Sequence, residues 1–202
     1  MPLVRGTGKG SAAGVSTPHP PKLDSPDDES RWAGARALAG HADAVPALAA
    51  ALARETVPRV REAIMTALMR TGDAASIEAI LPYLRSQEAG FRAAAIEALQ
   101  ALPSAIVPFM EPLFRDPDSD VRLLATELAR NMNASEATRL LCGLIEREQH
   151  PNVCAAAIDV LTEVGTPEAL PVLEKCAIHF AATPFLPFAI SIAIARISGS
   201  EG

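Results

Sequence analysis

Apolar residues recur along this chain on one face of a helix, and the whole pattern returns about every thirty residues. Around Arg61 the apolar positions are Val60, Ala63, Ile64, Ala67 and Leu68. Around Arg92 they are Phe91, Ala94, Ala95, Ala98 and Leu99, and around Arg122 they are Val121, Leu124, Ala125, Leu128 and Ala129. Counted from the arginine these are positions −1, +2, +3, +6 and +7, which share one helical face. A further copy, Val153, Ala156, Ala157, Val160 and Leu161, has Cys154 where the others have arginine, and Ser30-Arg31 opens an earlier, weaker one. Successive arginines lie 30, 31 and 30 residues apart, and Cys154 follows 32 residues later. Such a period means stacked supersecondary units rather than one closed core.

Each of these helices is expected to be the second of a pair. The first helices are less regular and are expected near 45–54, 76–85, 105–115, 136–146 and 167–177. Pro46, Pro108 and Pro171 suit a first turn, whereas Pro82 and Pro112 should kink their helices or move their ends. Turns are signalled by Thr71-Gly72-Asp73, Asp116-Pro117-Asp118 and Gly165-Thr166-Pro167. A last apolar helix, 184–197, with Phe185, Phe188, Ile190, Ile192 and Ile194, should close a sixth unit and seal the stack. Residues 1–27, rich in Gly and Pro and without an apolar period, are expected to form a disordered tail. The repeat domain is then 28–198, with a flexible end at 199–202. No strand is expected: the chain reads as all-α.

The segment Asp116-Pro117-Asp118-Ser119-Asp120-Val121-Arg122-Leu123-Leu124-Ala125 resembles the turn and second helix of a HEAT repeat, of the short bacterial type also called phycobilisome-lyase-like. The likeness extends over about 28–198. It implies an α-solenoid of about six helical hairpins whose second helices line the concave side. It also implies that the ladder Arg31, Arg61, Arg92 and Arg122 is structural, pairing with turn aspartates, of which Asp73, Asp118 and Asp120 are the candidates. The family is defined by architecture and hosts many roles.

Composition narrows those roles. Aromatics make up only 4 % of the chain and hydrophobic residues 49 %, so the core must be built from Ala, Leu, Ile and Val. The formal net charge is −6, and the only lysines are Lys9, Lys22 and Lys175, which disfavours nucleic-acid binding. Cys142, Cys154 and Cys176 have no metal-type spacing, and no apolar leader precedes them. Free thiols in a reducing, cytoplasmic setting are expected. The 184–197 segment is shorter than the ~20 residues a membrane span needs.

Catalytic chemistry has no obvious seat. His19, His41, His150 and His179 are scattered and form no helical His pair, so no metal and no cofactor is expected. The His-Glu motifs of HEAT-like iron hydroxylases are absent. Gly6-Thr7-Gly8-Lys9-Gly10 follows no strand and is not a phosphate loop. Positions +1, +5 and +8 of the second helices avoid the core and should face a groove. They supply Trp32, Leu123, Thr66, Glu97, Glu127, Asp159, Met69, Gln100 and Arg130 as candidate partner-binding residues. Glu97, Glu127 and Asp159 should form an acidic row beside the apolar knobs Trp32, Met69 and Leu123. These features favour a non-catalytic scaffold or adaptor that binds a basic or amphipathic segment of another protein, in a bacterial signalling system in the narrowest version. The last helix offers a surface for a homodimer. The alternatives suggested by resemblance are a HEAT-like DNA glycosylase, which needs a basic groove, and a bilin lyase or chaperone.

Overall fold

A computed structural model describes residues 22–199. Among them the chain forms eleven α-helices joined by turns and short 3-10 segments, with no strand. Helices α1 (Asp28–Ala37), α3 (Pro58–Thr71), α5 (Ala89–Gln100), α7 (Ser119–Leu128), α9 (Pro151–Val164) and α11 (Leu186–Ser198) pack side by side in one row. Helices α2 (Val45–Arg54), α4 (Ala74–Ile80), α6 (Val107–Leu113), α8 (Ala134–Ile145) and α10 (Leu170–His179) form the other. The chain is thus an all-α solenoid. Six second-type helices are present, five of them paired with a first-type helix; what precedes Lys22 lies outside the described residues.

Local chemistry sets the helix ends. The Asp27 carboxylate accepts from the Ser30 amide at 2.8 Å, and Asp73 accepts from the Ser76 amide at 2.8 Å, so each caps the helix that follows it. Asn133 does the same for α8 through Ser135. Pro46, Pro58 and Pro151 stand in first turns, where a missing N–H costs nothing. Gly72 ends α3 at φ 64°, a left-handed conformation that favours glycine. Pro82 has the expected effect: α4 stops at Ile80 and continues as a 3-10 turn, Leu81–Arg85. Pro112 stays inside α6, one residue from its end.

Ordered contacts begin before Asp28. Leu23 is buried, and Arg31 binds the carbonyls of Ser25 and Pro26, so the boundary expected at residue 27 cuts through these contacts. Of the expected tail, residues 1–21 lie outside the described residues, as do 200–202 of the C-terminal end.

The core lies between the rows and between neighbouring second helices. Most expected core positions are buried, but the stripe is rotated from the expected one. Position +2 is only half-buried at Ala94, Leu124 and Ala156, while position +4 is fully packed at Met65, Thr126 and Ile158. A second helix meets its own partner and the second helices on both sides, so its buried arc turns toward those neighbours. Thr126 is accommodated there because its hydroxyl donates to the Leu123 carbonyl at 2.7 Å. Phe91 is also only half-buried, with Arg61 4.8 Å from its ring centre and Tyr83 at 4.5 Å.

Candidate functional site

The arginine ladder forms a periodic lock. Each arginine donates to the carbonyl six residues upstream: Arg31 to Ser25 at 2.9 Å, Arg61 to Glu55 at 2.6 Å, Arg92 to Ser86 at 2.5 Å and Arg122 to Asp116 at 2.8 Å. In the fifth copy the Cys154 thiol points at the matching carbonyl, Glu148, at 3.9 Å. The ladder also reaches forward to the next unit. Arg31 makes a two-pronged pair with Glu55 (2.7 and 3.1 Å), and Arg122 makes the same pair with Glu148 (2.7 and 3.0 Å). Arg61 reaches Glu88 at 2.8 Å. These glutamates replace the expected aspartates. Asp73 and Asp118 are occupied as helix caps, Asp118 accepting from the Asp120 amide at 2.9 Å, and the Asp116 carboxylate pairs with Arg85.

The partners of the lock are stabilised as anions. The Arg31 guanidinium, with the amides of Val57 and Thr56, holds the Glu55 carboxyl at about 2 despite its burial. At Glu148 burial is the largest influence and opposes ionisation. Arg122 and the His150 and Gln149 amides outweigh it, so the carboxyl still lies below the usual range.

The ridge beside the ladder is more varied. Trp32 is sandwiched between two cations, Arg36 at 4.5 Å and Arg59 at 4.2 Å from its ring centre. Arg59 also binds Glu29 at 2.6 Å. In the middle, Glu97 lines a cavity of about 470 Å³ with Glu62, Arg61, Glu88 and Phe91. Thr66 is exposed, whereas Met69 and Leu123 are half-buried against the core. Leu123 also lines a cavity of about 360 Å³ with Arg92, Asp118 and Asp120.

The expected acidic row divides in two. Arg130 binds Glu127 at 3.1 Å, Asp159 at 3.1 Å and Glu163 as well, and these bonds, that to Glu163 foremost, strengthen its hold on its proton. Glu127 and Asp159 are therefore joined and largely neutralised. Glu97 belongs to the separate cavity with Glu62. Gln100 is committed too: its amide donates to the Glu127 carbonyl at 2.9 Å, while its own carbonyl accepts from Asn131 at 3.3 Å.

Helix α11 departs from the sequence expectation. Leu186, Ile190, Ala193 and Ile197 are buried and close the stack, but Phe188 is 71 % exposed and Ile192 44 % exposed, with Phe185 and Ile178 also exposed nearby. Placing Leu186 level with Val153, a step of 33 residues, puts Phe188 at +1 and Ile192 at +5. Carrying the register one unit further would have found them. The aromatic-poor chain thus spends two of its bulkiest apolar side chains on the ridge.

The model of HEAT repeats matches residues 21–100 and 106–179. The chain belongs to the HEAT-repeat family. No curated protein matches it. Among solved structures it is similar to the crystal structure of an engineered protein from the Northeast Structural Genomics Consortium. That similarity is 18 % identity over 88 % of this chain and 94 % of the other, with a TM-score of 0.43. As a HEAT-repeat chain it has an architecture generally used to hold other proteins. Among the described residues no helix is long and apolar enough to cross a membrane, and no group of three or more His, Cys, Asp or Glu is placed to hold a metal ion.

Proposed function

We propose that this chain is a non-catalytic scaffold that binds a basic, amphipathic segment of another protein along the ridge of its second helices. The observation that carries this reading is the exposed Phe188–Ile192 pair, in ridge register, following a middle stretch that exposes Glu62, Glu97 and Asp159. Exposed apolar side chains supply anchoring area, and the exposed acids select positive charge on the partner. The same acids oppose a duplex-DNA backbone, which counts against a glycosylase role. Of the candidate residues, Trp32, Thr66, Glu97 and Asp159 would meet the partner. Gln100, Glu127 and Arg130 would hold the ridge in shape, and Met69 and Leu123 would contribute their exposed edges.

Affinity capture with the full-length chain tests this. A partner recovered by the wild type should be lost with Phe188→Asp and with the pair Glu62→Lys and Glu97→Lys, and kept with Glu78→Lys on α4. Capture that ignores the ridge substitutions would overturn the reading. The identity of the captured protein decides the signalling role. The clustering of Ile178, Phe185, Phe188 and Ile192 at one end favours a second reading, self-association through α11. Sedimentation of the wild type against Phe188→Asp separates the two, because only self-association changes the mass of the chain alone.

A further inference from the structure

The fifth copy of the lock contains a pair of thiols that the ridge does not use. Cys154, on the first turn of α9, is fully buried with its sulfur 3.9 Å from the Glu148 carbonyl. Cys176, near the end of α10, is also buried, and its sulfur and that of Cys154 are hydrogen-bonded to each other. Cys176 and Glu148 line one cavity of about 470 Å³, together with Lys175 and His179, both exposed. The cavity therefore gives small molecules a route to Cys176, while Cys154 lies behind it.

The pair is chemically asymmetric. The Cys154 S–H has two acceptors in reach, the Glu148 carbonyl and the Cys176 sulfur. When Cys176 ionises, Cys154 donates to it, so the Cys176 thiol is acidified and the Cys154 thiol is held protonated. The outer sulfur is the nucleophile and the inner one the resolving group. The third thiol, Cys142, is pushed up to about 11 by burial and is a poor nucleophile.

We propose that Cys176 and Cys154 are a redox pair that a small-molecule disulfide oxidises to an internal bond tying α10 to α9. The Cys176 thiolate attacks one sulfur of the small disulfide, forming a mixed disulfide and releasing one thiolate, which takes up a proton. Cys154 then loses its proton and attacks the Cys176 sulfur, closing the protein disulfide and releasing the second thiol. Two protein thiols are oxidised and one small disulfide is reduced to two thiols. A small dithiol reverses the sequence. The bond would fasten the end hairpin, which carries Phe188 and Ile192, to the unit before it.

The test uses the full-length chain and hydroxyethyl disulfide, read by intact mass and by non-reducing tryptic digestion. Cleavage after Arg139, Arg147, Lys175 and Arg196 puts the three cysteines on three separate peptides. The wild type should lose two hydrogens and join peptide 148–175 to peptide 176–196. Cys154→Ser should stop at a mixed disulfide on Cys176, Cys176→Ser should leave Cys154 unmodified, and Cys142→Ser should behave as the wild type. A mixed disulfide that persists in the wild type, a link through Cys142, a link between two chains, or no reaction at Cys176 would each overturn the proposal.

Discussion

Replacing Glu55 with glutamine removes one charge from the lock and keeps its shape. The carboxylate accepts from Arg31 at 2.7 and 3.1 Å and from the Thr56 and Val57 amides at 2.9 Å each. The Arg31 and Glu55 side chains are only 17 % and 6 % exposed, so solvent screens the pair weakly. The fold holds the carboxyl at about 2 against an ordinary 4.5, a difference worth roughly 3 kcal/mol. Truncating one partner of a buried pair costs about 3–5 kcal/mol, a comparable figure. Because the folded value is the lower one, this stability is fully present above pH 4.5 and disappears as pH falls toward 2. Urea unfolding of wild type and Glu55→Gln should differ by about 3 kcal/mol near neutral pH, and the two should converge near pH 2. In a solenoid the loss is local, so hydrogen exchange should quicken in α1, which holds Arg31, and stay unchanged in α9 and α11. A neutral-pH gap below about 1 kcal/mol, or one that persists undiminished in acid, would refute the reasoning.

Two further substitutions probe local packing. The Ser76 hydroxyl is fully buried and meets no hydrogen-bond partner among the described residues, so Ser76→Ala should raise stability by about 1 kcal/mol. A lowered melting temperature would show that the hydroxyl is satisfied. Gly72→Ala places a Cβ at φ 64° and 2.9 Å from Leu102 Cδ2, and should cost about 1–2 kcal/mol in urea unfolding. An unchanged midpoint would mean that the turn adopts another conformation.

What was legible in the sequence was whatever repeats in backbone geometry. The arginine spacing exposed the units because each arginine serves a carbonyl at a fixed offset, and the apolar face around it follows helical periodicity. Partner choice was not legible, because it depends on which unit faces which. Arg130 finds Asp159 and Glu163 one unit on, so the acidic row contains its own cation. Glu55 and Glu148 sit in turns with no periodic signal, and only the stacked arrangement brings Arg31 and Arg122 to them. The +4 burial of Met65 and Ile158 was hidden for a related reason: a single-helix pattern cannot show that a helix is enclosed from three sides. Phe188 and Ile192 were visible as apolar residues, but the divergent last unit lacks the arginine that set the register elsewhere.

The loss of arginine at position 154 follows from how the lock works. A ladder arginine satisfies its own unit through a backbone carbonyl and neutralises an acid in the turn of the next unit: Arg31 with Glu55, Arg61 with Glu88, Arg122 with Glu148. Position 154 would have to serve the turn before α11. Six and four residues ahead of Pro187, where the other units place Glu55 and Glu88, that turn has Ala181 and Thr183, neither of them acidic. A guanidinium buried there would have the carbonyl but no counter-charge, a costly arrangement. A small thiol fills the site instead and keeps the bond to the Glu148 carbonyl in weak form. The Glu148 carboxylate needs nothing from its own unit, because Arg122 already holds it from the unit before. The departure from the repeat at Cys154 is therefore the form the pattern takes where the chain of forward ion pairs ends.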